Sequence, residues 1–238
     1  MPTIISIEGN IGVGKSTVVD LLKSKYSNLQ NQSIVFLQEP VKQWETIKDK
    51  SGASILEKFY EDQNSWSFAF QMMAYISRLS ILKKAIKLNP NSIIITERSL
   101  FTDKNIFAKM LYDDGMINEI EFQIYLKWFE DFIEEVPITG YIYLYADPKI
   151  CSERVTKRSR QGETIPLSYL EKCHQYHEEW LKNSNIPKNK IISLDCNHDN
   201  EELPQVKVNL LKQIEEFMDS ILLINNSKKE HSFFPSGC

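Results

Sequence analysis

An apolar run, Thr3-Ile-Ile-Ser-Ile7, leads through Glu8 into Gly9-Asn-Ile-Gly-Val-Gly14-Lys15-Ser16-Thr17, and then into Val18-Val-Asp-Leu-Leu22. Strand, glycine-rich turn, helix: the order fits G-x-x-x-x-G-K-[ST] in the setting that motif requires. No other stretch constrains the fold as much, because the turn works only where a strand delivers it and a helix leaves it. The glycines let backbone N–H groups face phosphate oxygens, and the helix N-terminus adds positive potential. Gly9, Asn10, Ile11, Gly12, Val13, Gly14, Lys15, Ser16 and Thr17 are therefore expected to bind a nucleoside triphosphate such as ATP. Lys15 would neutralise its β- and γ-phosphates and Ser16 would ligate Mg²⁺.

The rest of the chain supports one α/β domain around that loop. Thr3–Ile7, Ile34–Leu37, Ser92–Thr96, Tyr141–Tyr145 and Ile191–Leu194 are continuous apolar runs rich in β-branched or aromatic residues. Strands buried on both faces of a parallel sheet read this way. Helical patterns lie between them at about 15–25, 54–88, 102–135, 148–158, 167–182 and 202–223. The alternation predicts a three-layer αβα domain of P-loop NTPase type, with a five-stranded parallel sheet. Residues 1–225 form that domain in this reading, and the polar stretch 226–238 is expected to be a flexible tail.

Composition limits the function classes. A length of 238 residues with 42% hydrophobic content suits one domain with a full core, and a formal net charge of −4 argues against broad nucleic-acid binding. No apolar stretch approaches the ~20 residues needed to cross a bilayer, and the first strand begins at Thr3, so a soluble cytoplasmic protein is expected. The four cysteines (Cys151, Cys173, Cys196, Cys238) lack C-x-x-C spacing, which favours scattered thiols over disulfides or zinc.

Charged residues gather where strands should end. Glu39-Pro40 closes the second strand in E-P-V-K-Q-W, because Pro40 cannot donate to a ladder. Ligands of open α/β sheets bind outside such carboxyl ends, so Glu39 is placed to accept a proton from an attacking hydroxyl. A solvated strand-end carboxylate is the bland alternative. The third strand ends Glu97-Arg98-Ser99, with Glu97 where a magnesium-orienting carboxylate usually stands and Arg98 able to hold phosphate or orient Glu39. A surface ion pair is the rival there. Gln71, Ala74 and Arg78 share one helical face, suited to a planar heterocycle or else simply solvated. Arg154, Arg158 and Arg160 form a local basic cluster that could close over a triphosphate; the alternative is a basic helix end favoured by the dipole. His174 and His177, spaced i, i+3, lack further ligands and are read as packing and helix-surface polarity.

Together IEGNIGVGKST, EPVKQW, FYEDQNSWSFAFQ, ERSLFTDKNIFAK, MINEIEFQIYLKWF, ERVTKRSRQGETIPLSYL and HEEWL resemble the deoxyribonucleoside kinase family, in its deoxycytidine/deoxyguanosine kinase-like branch. The resemblance spans about residues 3–223. It implies ATP-dependent phosphorylation of a deoxynucleoside 5′-hydroxyl in nucleotide salvage, with Mg²⁺. Glu39 would be the general base, Arg98 would hold the hydroxyl and the transferring phosphate, and Glu97 with Ser16 would serve the metal. Gln71 would hydrogen-bond the nucleobase edge, and Trp44, Phe70 and Phe101 would line the cleft. Tyr60 and Glu163 would hold the 3′-hydroxyl. Arg154, Arg158 and Arg160 would be lid arginines, and Asp195 and Asp199 fall where the family senses the donor base. In this branch Arg78 and Asp103 form a charged pair meeting the exocyclic groups of cytosine or a purine. With Ala74 they imply deoxyadenosine, deoxyguanosine or deoxycytidine over thymidine. The lid, R-Q-G-E-T-I-P, departs from relatives with two adjacent glutamates. Parts of 68–88 and 117–135 correspond to the helices through which the family dimerises, so a homodimer is implied.

Two rivals share the loop. A nucleoside monophosphate kinase needs an arginine soon after the second strand to clamp the acceptor phosphate, where this chain has E-P-V-K-Q-W. A GTPase should show N-K-x-D and an aspartate ending the third strand, and neither is present.

Overall fold

In the computed structural model, residues 2–26, 34–158, 165–183, 185–198 and 204–232 are described, without the side chains of 204 and 226–232. Five strands, β1 (Thr3–Glu8), β2 (Ile34–Leu37), β3 (Ile93–Glu97), β4 (Gly140–Tyr145) and β5 (Ile191–Asp195), form one sheet in the order β2-β3-β1-β4-β5. All of its pairings are parallel, with Ile5 opposite Ile95 on one side and Gly140 on the other. β1 therefore occupies the middle, and the loop after it emerges where connections leave toward both edges, the usual ligand position in such sheets.

Side-chain alternation along the strands builds a core on each face. Ile5, Ile7, Ile93, Ile95, Ile142 and Leu144 point to one side. They pack against Val18 and Leu22 of α1 (Lys15–Tyr26) and Ile214, Phe217 and Ile221 of α10 (Pro204–Ser232). Ile4 and Ile94 point to the other face, where α4 (Gln63–Leu88) contributes Tyr75, Leu79 and Leu82, and α7 (Glu119–Phe132) contributes Tyr125 and Phe129. The expected three-layer arrangement results.

Helix boundaries differ from the sequence-based expectation in three places. The stretch 54–88 is two helices, α3 (Ile55–Glu61) and α4, separated by Asp62, whose non-helical backbone (φ −145°, ψ 89°) and side chain accepting from Ser65 N start the second one. Residues 102–135 are also interrupted. A short α5 (Leu100–Thr102), a π-helical segment Asp103–Ala108 and α6 (Lys109–Asp113) run to a turn, and α7 restarts at an Asn118–Glu121 capping box. Gly115, at φ 74°, supplies the left-handed turn between them. Finally, α10 continues to Ser232, past the helix end expected near 223. The rest of the predicted tail, 233–238, lies outside the described residues.

Candidate active site

The phosphate loop follows β1 with backbone angles that demand glycine. Gly12 sits at φ 83°, and a Cβ there would stand 2.4 Å from the carbonyl oxygen of Cys151, on α8 (Pro148–Arg158). Lys15, only 4% exposed, donates to the carbonyl oxygens of Gly9 (3.0 Å) and Asn10 (2.8 Å). Burial, reinforced by the nearby Arg98 cation, lowers its pKa to about 7. Asn10 braces the turn by donating to Leu170 O and accepting from Ile11 N. Ser16 Oγ donates to Glu97 Oε1 at 2.8 Å, which brings together the two residues predicted to serve a metal.

Across from the loop, side chains from distant elements converge on one carboxylate. Glu39, just past β2, accepts from Arg98 Nη1 at 2.9 and 2.7 Å and from Arg78 Nη2 at 2.9 Å. Burial would push its carboxyl up, but the Arg98 and Arg78 cations prevail and hold it at about 2. Arg78, from α4, also donates to Asp103 (2.9 and 3.3 Å) and to the carbonyl of Glu97 (2.8 Å). Asp103 itself is 1% exposed, and there burial outweighs its arginine partner to raise the pKa.

These two groups share one cavity of about 840 Å³, lined by Ile11, Gly12, Val13, Gly14, Lys15, Ser16 and Thr17 at one end and by Glu39, Gln71, Ala74, Arg98 and Asp103 at the other. Trp44, Tyr60 and Phe70 form an aromatic wall with Phe59, which stacks on Phe70 at a centroid distance of 4.5 Å. Trp44 meets Phe70 edge-on and donates to Ser77 Oγ. Gln71 Oε1 and both Nε and Nη2 of Arg98 are buried without a partner. Unmet polar atoms facing a partly apolar cavity are what a ligand with its own donors and acceptors would satisfy.

Phe101 is a correction. It packs edge-on against Phe129 (5.5 Å) and Tyr141 (6.4 Å), away from the cavity; Phe107 lines it instead, beneath the Arg98 guanidinium at 5.1 Å. Helical geometry explains the exchange: Phe107 lies four residues after Asp103 and shares its face, whereas Phe101 lies two before it. Arg78 is similarly displaced from direct view, since Asp103 lines the cavity and Arg78 reaches it through Asp103 and Glu39. Tyr169, Leu56 and Val41, the first residue of the short α2 (Val41–Trp44), also line the cavity. Val41 falls within E-P-V-K-Q-W and Tyr169 within P-L-S-Y-L without having been assigned a role, and Leu56 falls in no motif.

Arg158 and Lys157 stand at the cavity edge. Arg154 donates to Val13 O, Cys196 O and His198 O, joining α8, the phosphate loop and the segment after β5. Asp195 accepts from Asn197 N and Nδ2 and so closes the turn leaving β5. Arg160, Glu163 and Asp199 lie outside the described residues. His177 is fully buried in α9 (Leu167–Leu181), with Nδ1 against Cys173 O and its ring stacked on Tyr143.

A phosphate loop leaving the middle strand of a parallel αβα sheet, with a carboxylate facing it across one cavity, defines a phosphotransferase of the P-loop class. The sequence profile described as deoxynucleoside kinase matches residues 5–219. The chain is 35% identical to deoxycytidine kinase 1 of Xenopus laevis over 91% of each chain, and 34% identical to human deoxycytidine kinase over 91% of each. It is 37% identical to the mitochondrial deoxyguanosine kinase of Xenopus laevis, over 74% of this chain and 72% of that one. The chain belongs to the deoxynucleoside kinase family. It is a phosphotransferase acting on deoxynucleosides in nucleotide salvage, and membership of a kinase family implies ATP as phosphate donor. Among the described residues no helix is long and apolar enough to cross a membrane.

Proposed function

We propose that the chain transfers the γ-phosphate of ATP to the 5′-hydroxyl of deoxyadenosine, deoxyguanosine or deoxycytidine in preference to thymidine. The carrying observation is Glu39, an ionised carboxylate gripped by Arg98 and Arg78 in the cavity that also holds Lys15. Glu39 takes the 5′-hydroxyl proton, once the substrate hydroxyl and phosphate draw Arg98 away from it. Arg98 then stabilises charge on the transferring group, and Lys15 holds the β- and γ-phosphates. A positioned base contributes about 10²–10⁴ in rate, with alignment and charge stabilisation supplying the remainder. Ser16 and Glu97 offer hard oxygen donors 2.8 Å apart, a ligand type suited to magnesium, which commonly needs one carboxylate besides phosphates and waters. When bound, magnesium would offset phosphate charge.

Preference follows from the far end. Asp103 beside Gln71 and small Ala74 accepts from an exocyclic amino group and opposes the O4 of thymine. Tyr60 and Glu163 hold the 3′-hydroxyl, while Arg154, Arg158 and Arg160 serve as lid arginines for the donor and Asp195 and Asp199 sense its base. The deoxycytidine and deoxyguanosine kinases among the relatives agree with that preference.

The same reading includes a homodimer in the cytoplasm, without nucleic-acid or membrane partners. Exposed Ile120, Ile124 and Trp128 form an i, i+4, i+8 stripe on α7, and Ile76 is exposed on α4, apolar surface of the kind that subunit contacts cover. Cys151, Cys173 and Cys196 are free and buried, as a reducing compartment would leave them. The deciding assay incubates the protein with labelled ATP, magnesium and each of four deoxynucleosides in turn. No monophosphate from any of them would sink the kinase reading, and thymidine as best substrate would sink the preference.

A further inference from the structure

Glu8 is the last residue of β1, fully buried, and adjoins the phosphate loop at Gly9. It does not line the cavity, and its hydrogen bonds run to Ser6, Ser99 and Thr102, none of them assigned above to the chemistry. Three hydroxyls donate to its carboxylate: Ser6 Oγ (2.6 Å) and Ser99 Oγ (2.7 Å) to Oε1, and Thr102 Oγ1 to Oε2. Two of those donors, Ser99 and Thr102, belong to the turn that begins with Arg98. Burial pushes the Glu8 carboxyl up, while the hydroxyls and the Arg98 cation pull it back. A buried carboxyl is costly unless such partners satisfy it, so three fully buried hydroxyl neighbours mark a built arrangement.

What that arrangement holds is unusual. Arg98, at φ 63°, is the only non-glycine with positive φ among the described residues. L-residues with a Cβ avoid this conformation, and it persists only where the surroundings over-determine it. Here Arg98 N donates to Ile7 O at 2.9 Å, Thr96 Oγ1 donates to Arg98 O at 3.0 Å, and Ser99 N donates to Thr102 Oγ1 at 3.2 Å. The left-handed kink turns Arg98 Nη1 onto Glu39.

We propose that Glu8 is a positioning residue for phosphoryl transfer: by gripping Ser99 and Thr102 it holds the Arg98 turn in fixed register with the phosphate loop that starts one residue after it. The proposal rests on the role given to Arg98 above. One side chain thereby joins the segment that cradles the donor to the segment that meets the acceptor. In-line transfer depends on that relative placement more than on either affinity.

The test uses the full chain with Glu8→Gln, which keeps the shape but replaces one acceptor oxygen with a donor and so cannot accept all three hydroxyls. A near-isosteric second variant, Thr102→Val, removes one of the three ties to Glu8, together with the acceptor of Ser99 N. The expected result for Glu8→Gln is a kcat lower by about 10- to 100-fold, as an ångström-scale misplacement produces. Calorimetric dissociation constants for ADP and deoxynucleoside should stay within about twofold, because binding contacts are untouched. Thr102→Val should lower kcat by a smaller factor in the same pattern. In an Arg98→Lys background, Glu8→Gln should cost little more, since residues acting through one group are not additive. Unchanged kcat with only a lowered melting temperature would overturn the proposal, as would full multiplication of the two effects. If Glu8→Gln does not fold, Thr102→Val and its cycle with Arg98→Lys decide by the same criteria. Wild-type protein inert toward every deoxynucleoside would instead overturn the kinase reading, and this role with it.

Discussion

The two ends of the cavity are built in opposite ways. At the donor end, one continuous segment, Ile11 to Thr17, supplies the loop lining, and glycine geometry and a helix start set its backbone. At the acceptor end, Glu39, Gln71, Arg98 and Asp103 come from separate places along the chain; Glu39, Arg98 and Asp103 are held through their side chains by one another and by Arg78, while Gln71 presents an unpartnered Oε1. Backbone recognition tolerates little change in conformation but needs few distant partners. Side-chain recognition depends on long-range packing, and there a single functional group can be exchanged without disturbing the chain path.

The sharpest test of that contrast is Glu39→Gln, which should lower kcat by about 10²–10⁴ while deoxynucleoside binding persists. Near-normal turnover in single-turnover assays would show that Glu39 is not the base. Gly12→Ala attacks the donor end through the backbone. Its positive φ alone carries a cost of about 1–3 kcal/mol, and the 2.4 Å approach to Cys151 O adds to it. Both thermal stability and ADP affinity should therefore fall, whereas Glu39→Gln, which costs stability by leaving the buried Arg98 and Arg78 short of a partner, should leave ADP affinity nearly intact. Equal losses of ADP affinity in the two variants would erase that distinction.

A smaller effect is expected from Asp103→Ala. Relief of a mismatched buried polar contact, about 1–3 kcal/mol, should raise kcat/KM for thymidine relative to deoxycytidine, read from competition assays. The smallest effect belongs to Lys15. Its pKa of about 7 in the ligand-free protein should rise beside phosphate. Donor binding above that pH then takes up a proton and weakens as pH increases. Calorimetry in buffers of different ionisation enthalpy measures the uptake, and its absence at pH 8 would mean that Lys15 is already charged.

The donor end was legible because its determinants are local. Consecutive residues encode the strand, the turn and the helix start, and the five strands announced themselves as apolar β-branched runs. The acceptor end was legible only in part. Glu39-Pro40 and Glu97-Arg98 stood out as charge at strand ends, and Gln71 with Ala74 as one helical face. Phe101 was misplaced, because the π-helical turn after Thr102 decides which aromatic faces inward. Tyr169 drew no role although it falls within P-L-S-Y-L, since only the packing of α9 brings it to the cavity.

By itself the sequence determined the phosphate loop, the parallel αβα layering, the family and the residue types available for chemistry. Hydrogen bonding between neighbours and hydrophobic periodicity act over a few residues, so the chain carries them openly. Only the tertiary structure decided that Arg78 grips Glu39 and Asp103 together, that Phe107 lines the cavity, and that Glu8 fastens the Arg98 turn. Those relations join residues far apart in the chain. They exist because the parallel sheet sets β1 beside β3 and brings their carboxyl ends to one edge.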